Sequence, residues 1–384
     1  MQSIHHTAFH GFRDVVRAPA RALSAKQILI MTAFLCFSLA VYDLVTYLAY
    51  LIDGQSASAV FRAYGFFPFD IPALTGWLGW VVYVIGGLAA LLVLMQGFFA
   101  VAAINIEKMR GNRFLSIGGA FKFAFSRIGQ VFYSELAILI FIGFVVGLFF
   151  LVGLISRIPF IGEWLYAIFF VVPSFIVGLL TVFVIFVVTL SVLLMPAVAA
   201  AEREGEAFAV ILETFSTLIR QPFRWSAYTA LAIVLAKLAS FVYAYFCFRT
   251  VQFVVGASML GGGERLNRLV KDGLSHLPAN SELVRETFNI FPGIDWSFSV
   301  YYWMRPGSDD PVSYAMAFMI FVIFASVIGY ALATVAAGQA IGYAAIRQIK
   351  DDYNIADEEP MFYTEEHVNP EIGEKGQSKD RTRL

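Results

Sequence analysis

The feature that most constrains this chain is a succession of apolar runs, each long enough to cross a bilayer as a helix. A hydrocarbon core of about 30 Å takes roughly 20 apolar helical residues. Six stretches meet that length: Gln27 to Ile52, Trp77 to Ile104, Gly129 to Ile155, Trp164 to Ala200, Ser226 to Phe248 and Tyr314 to Ile346. Inside a bilayer every backbone polar group needs an internal partner, so runs of this length predict helices. The expected fold is all-α, a polytopic helical membrane bundle of about six spans. Composition agrees: 59% of the 384 residues are hydrophobic, 14% are charged and mean hydropathy is +0.73, against roughly a quarter charged in soluble domains.

The fourth stretch is too long for one perpendicular span, since at about 1.5 Å per residue it would run on the order of 55 Å. Pro173 near its start leaves two readings open, a kinked helix projecting beyond the bilayer or a short re-entrant piece before a full span. The first stretch is longer than a signal-peptide core and lacks a small-x-small cleavage site, so it is expected to be a retained signal anchor.

Basic residues in short loops set orientation. Arg13, Arg17, Arg21 and Lys26 precede the first span; Lys108, Arg110, Arg113, Lys122 and Arg127 follow the second; Arg203, Arg220 and Arg224 follow the fourth. The intervening loops hold only Arg62 and Arg157. Both termini are therefore expected on the cytoplasmic side of a bacterial inner membrane. Three regions follow: a basic amphipathic cytoplasmic segment at 1–26, a six-span membrane domain at 27–346 with an extracytoplasmic interfacial insertion at 249–312, and a disordered cytoplasmic tail at 347–384. In the first of these, Phe9, Phe12, Val16, Ala20 and Leu23 form an apolar stripe beside the arginines, as an interfacial helix would, with Pro19 bending it or starting it anew. In the insertion, a glycine hinge at Gly261 to Gly263 precedes a second helical pattern, and Trp296, Tyr301, Tyr302 and Trp303 suit a membrane interface.

The second and third basic connections read alike. Phe114, Ile117 and Phe121 align with Phe208, Ile211 and Phe215, and after a one-residue slip YSELAI at Tyr133 aligns with YTALAI at Tyr228. Each unit is a span leaving the membrane, an amphipathic cytoplasmic helix and a span re-entering, which is a parallel internal repeat. Two unrelated amphipathic helices flanked by apolar spans would align about as well, so both readings stand. The stretch LLMPAVAAAEREGEAFAVILETFSTLIRQPFRW resembles a pattern in six-helix membrane families, among them the membrane domain attached to some glycerophosphodiester phosphodiesterases. The resemblance covers Val182 to Leu235 and implies an architecture only; the phosphodiesterase catalytic module has no counterpart in this sequence.

Ionisable residues inside spans are functional candidates by default, and there are three: Asp43, Glu135 and Lys237. Counted from the cytoplasmic ends of their spans at about 1.5 Å per residue, Glu135 lies ~10 Å deep, Lys237 ~18 Å and Asp43 ~25 Å. Asp43 is the expected partner of Lys237, either as structural glue or as part of a polar route for a small solute or ion. Gln96 and Gln339 complete the intramembrane polar set. GFVVG (Gly143, Gly147) and GQAIG (Gly338, Gly342) place small residues one turn apart, the spacing that lets helix backbones approach, within the chain or in an oligomer.

No catalytic, cofactor-binding or metal-binding constellation is expected. None of His5, His6, His10, His276 and His367 lies in a span, EEH at Glu365 lacks the HExxH spacing, and the Gly261-Gly262-Gly263 run lacks the Gly-Lys-Ser/Thr of a phosphate loop. The two cysteines, Cys36 and Cys247, fall in apolar runs and build no disulfide framework. The sequence thus points to a non-enzymatic membrane protein whose partners are membrane lipids and a protein docking on the outer aromatic segment or the tail, with no nucleic acid. The alternative is a small-solute or ion permease using the Lys237 and Asp43 region.

Overall fold

The computed structural model describes residues 11–64, 68, 73–112, 116–203, 206–277 and 310–361, and within these the chain is helical with no strand. His5, His6, His10, the aromatic run from Trp296 to Trp303, and Glu365 and His367 lie outside the described residues. Two short helices, α1 (Phe12–Val15) and α2 (Ala18–Ala22), lead into α3 (Ala25–Ile52). Then come α4 (Ala57–Tyr64), α5 (Trp77–Met109), α6 (Ile117–Ser126), α7 (Ile128–Ile155) and α8 (Ile161–Leu165). A π-helical turn at Tyr166–Phe170 joins α8 to α9 (Val171–Ala201), followed by α10 (Ala207–Arg220), α11 (Pro222–Ser275) and α12 (Pro311–Asp351).

Four of these helices, α3, α5, α11 and α12, are long and apolar enough to cross a membrane. Ile161–Ile168 and Val171–Phe183, bent by 57°, make a fifth if counted as one broken span. Within the fourth apolar run α8 and α9 meet at a π turn, where the carbonyl ladder loosens and the axis bends, a geometry common to a broken span and a re-entrant loop. The third run, Gly129 to Ile155, corresponds to the 28-residue α7.

Local chemistry explains the boundaries. Ser24 and Ser116 cap α3 and α6 by accepting from the amides of Gln27 and Gly119, donors with no partner inside their own helices. Pro222 and Pro311 stand at the first positions of α11 and α12, where a missing N–H costs nothing. Pro19 falls in the first turn of α2, so the N-terminal segment breaks into two helices. Their buried residues are Val15, Ala18 and Ala22, packed on α11 and α12, while Phe12, Val16 and Leu23 of the expected apolar stripe stay exposed.

α12 is the central element. It packs along α11 over most of its length and also meets α3, α5, α9 and α2, and α3 pairs with α5. The contacts are close because small residues line them: a Cβ placed on Gly338 would stand 2.5 Å from that of Ala232, and one on Gly97 2.8 Å from that of Phe34. The helix ends that carry the basic residues gather at one end of the bundle, where the core is densest, with Phe98 to Ile104, Leu194, Met195, Ala197 to Ala201 and Ala340 to Ile346 all buried. A satellite cluster of Ala49, Tyr50, Val60 and Leu74 closes the opposite end.

Two sequence boundaries need correction. The helix that holds the fifth run does not stop at Phe248, so the insertion at 249–312 begins as a continuation of α11. α11 runs on without a breaker to Gly263, whose φ of 56° and ψ of −146° reverse the path; a conformation of that kind suits glycine because it has no Cβ. Of the tail at 347–384, expected to be disordered, residues 347–361 are described and are folded onto the bundle. α12 continues to Asp351, a 3₁₀ turn follows at Ile355–Asp357, and Ile355 is completely buried. Composition alone read that stretch as solvated because its partners lie far away in sequence.

Candidate functional site

The intramembrane polar residues do not converge. Lys237 is exposed on the outer face of α11, and α12 separates α11 from α3. Among the described residues no ion pair joins it to Asp43. Asp43 is half-buried on α3, and its Oδ1 is buried without a hydrogen-bond partner, as are Thr46 Oγ1 on the same helix and Gln96 Oε1 on α5. The side chain of Glu135 lies outside the described residues. Gln339 has a structural role: its Oε1 accepts from Trp225 Nε1 at 3.1 Å and its Nε2 donates to Thr229 Oγ1 at 2.9 Å, tying α12 to α11. Gly338 and Gly342 face α11 beside that link, whereas a Cβ at Gly143 or Gly147 would meet nothing within 4 Å.

A charged network that sequence reasoning missed sits at the basic end. Glu107 and Arg110 occupy the last turn of α5 and its C-cap, and their side chains are 2% and 0% exposed. Arg110 Nη1 donates to Glu107 Oε1 at 3.2 Å, while its Nη2 donates to the Ala201 carbonyl at 2.9 Å and to Glu358. Arg203 joins the same Glu358 carboxylate at 3.3 Å, and the Met361 amide donates to Glu107 at 3.2 Å. Beside it, Lys350 Nζ lies 2.7 Å from Glu213, which also accepts from Tyr343. Arg127 donates to the carbonyls of Glu202 and Arg203, and its burial pulls the guanidinium pKa below the ordinary value. These contacts therefore pin the ends of α5, α9 and α12 and the middle of α10, and strap residues 352–361 across the end of the bundle. The signal in the sequence is Glu107 three residues before Arg110 in INIEKMR; by sequence alone Arg110 counts only among the positive charges that set orientation.

At the opposite end of the connection between α3 and α5, Asp53 accepts from the amides of Thr75 at 2.9 Å and Gly76 at 2.5 Å. Those hydrogen bonds hold its carboxyl below the usual carboxylate range.

Between α11 and the first turns of α12 lies a partly enclosed cavity of about 330 Å³. Val251, Val255 and Met259 line it from α11, Val270 and Leu274 from the stretch after Gly263, and Phe324 from α12. The fold-back that builds it is held by His276, whose Nε2 lies 3.1 Å from Ser313 Oγ and whose ring stacks on Tyr314 at 4.1 Å. Gln252, the polar residue on its wall, accepts from the exposed Arg249 at 2.8 Å. Such a cavity can take an apolar chain, with a cationic side chain near its edge.

Comparison with protein families, with curated proteins and with solved structures returned no match. Among the described residues no group of three or more His, Cys, Asp or Glu side chains is placed to hold a metal ion.

Proposed function

We propose that this is a six-span integral protein of a bacterial inner membrane, with both termini cytoplasmic, that works without catalysis by binding lipid or a protein partner in an accessory or assembly role. In this reading α7 and the bent α8–α9 element supply the two spans beyond α3, α5, α11 and α12. The shared order of long helix, short amphipathic helix and long helix in α5–α6–α7 and α9–α10–α11 supports a parallel repeat. The gathering of all basic helix ends at one end of the bundle supports their common cytoplasmic placement.

The observation that carries the binding reading is the apolar cavity between α11 and α12, whose volume falls at the lower end of the range for ligand sites of roughly 300–1,000 Å³. Gentle detergent purification followed by mass spectrometry of retained lipids and proteins tests it. Retention of a lipid or protein in fixed proportion to the chain is expected, and recovery of the bare chain with only bulk-composition lipid would defeat the reading.

A second reading, a permease for a small solute or ion, draws on the unpartnered oxygens of Asp43, Thr46 and Gln96 between the helices. Lys237 no longer belongs to it, because that side chain points away from the bundle. Flux through liposomes that is abolished by Asp43→Asn would favour this reading over the first.

A further inference from the structure

Lys237 is the misfit of the structure. Along α11 it stands ~20 Å from Arg224 and ~18 Å from Arg249 at about 1.5 Å per residue, so it falls near the middle of the membrane crossing. It is exposed, with no polar partner among the described residues, and its neighbours on that face are Ile233, Val234, Leu238 and Val242, each about half exposed or more. Membrane-embedded charges as a rule face the bundle interior and pair with a polar group, and a lysine at the helix centre costs about 2.5–3.5 kcal/mol on insertion scales. A lysine stem can lift its ammonium by only a few ångströms, too little to reach either boundary from mid-membrane. A charge placed so is accounted for when a second surface covers it and supplies the counter-charge.

We infer that the face of α11 centred on Lys237 is an interface for a different membrane protein, one whose spanning helix carries an Asp or Glu near the bilayer midplane. The apolar residues above and below the lysine would pack against that helix, and the carboxylate would pair with the ammonium. A second copy of this chain fits less well. A two-fold axis along the membrane normal that packs this face on itself would bring Lys237 against Lys237 at the same depth. Like charges in a low-dielectric setting repel strongly. The inference rests on the partner-binding arm of the proposed function and gives it a location and a chemistry.

The test places a photo-crosslinking amino acid at Leu238 in the full chain, expressed in its native membrane. The expected result is one predominant protein adduct, whose cross-linked peptide comes from an apolar helix of another chain with an Asp or Glu within about one turn of the contact. That adduct should fall at least tenfold with Lys237→Met and persist with Lys237→Arg, while thermal stability in detergent stays unchanged in both. Adducts to lipid alone, an adduct to a second copy, or an adduct indifferent to Lys237→Met would each overturn the inference. Because retained lipid and protein are scored separately by the purification above, a chain that keeps its ligand yet gives no Lys237-dependent adduct sinks this interface and leaves the binding reading standing.

Discussion

Replacing Arg110 by alanine should be the most damaging single change at the basic end. Its side chain is fully buried, and it serves Glu107, the Ala201 carbonyl and Glu358 at once. Removing one member of a buried ion pair costs about 3–5 kcal/mol, because the other charge is left without compensation. Here Glu107 keeps the Met361 amide at 3.2 Å and a long contact from Asn112 at 3.4 Å, so the lower part of that range, about 3 kcal/mol, is expected. Glu107→Gln combined with Arg110→Met removes both charges and should cost less than the two single changes summed, by about 2 kcal/mol of coupling. The assay is equilibrium unfolding in mixed detergent and sodium dodecyl sulfate micelles, followed by tryptophan fluorescence. A loss below about 1 kcal/mol for Arg110→Ala, or strict additivity in the cycle, would show that these residues do not act as one buried unit.

Four further outcomes follow from named contacts. Glu358→Ala should release the strap, so that limited proteolysis cleaves within residues 352–361 at least several-fold faster than in the parent chain, while Lys350 keeps its bond to Glu213. Gln339→Leu leaves the Trp225 indole N–H and the Thr229 hydroxyl without their partner and should cost about 1–3 kcal/mol in the same unfolding assay. Gly338→Leu should be destabilising, since even a Cβ there would overlap Ala232, whereas Gly143→Leu should leave thermal stability unchanged. Asp53 has a depressed pKa in the folded protein, so its contribution is fully present above the ordinary carboxylate pKa and is lost as pH falls through the lowered one. Hydrogen exchange at Thr75 and Gly76 should accelerate relative to neighbouring amides as pH drops through that window, and Asp53→Asn should remove the dependence.

The four long apolar helices α3, α5, α11 and α12 were legible in the sequence because apolar runs of bilayer length leave the backbone one solution, the helix. Gly263 was legible as a hinge for a similar local reason, having two glycines before it and a polar helical pattern after. Lys237 was noticed but its direction was not, because the choice of which face of α11 meets α12 depends on Ala232, Ala236 and Ser240, buried on one side, against Gly338 and its neighbours. Asp43 was matched to it by depth alone, and depth does not say which helices are adjacent. The charged network was missed for a different reason: Arg110 and Glu358 are 248 residues apart, and each looks like ordinary loop charge until the chain brings them together. The ordered part of the tail was hidden with them, since Ile355 is a lone apolar residue whose burial depends on that docking.

The central proposal is that the chain crosses the membrane six times with its basic end on the cytoplasmic side. Single cysteines introduced into a background with Cys36 and Cys247 replaced, and probed with a membrane-impermeant maleimide in intact cells, address it most directly. Cysteines at Asn112, Glu206, Gln221 and Asp352 should react only after the inner membrane is opened, whereas those at Ser56, Arg157 and Gly262 should react in intact cells whose outer barrier has been permeabilised. Labelling of any of the first four from outside, or protection of Arg157, would contradict the six-span arrangement.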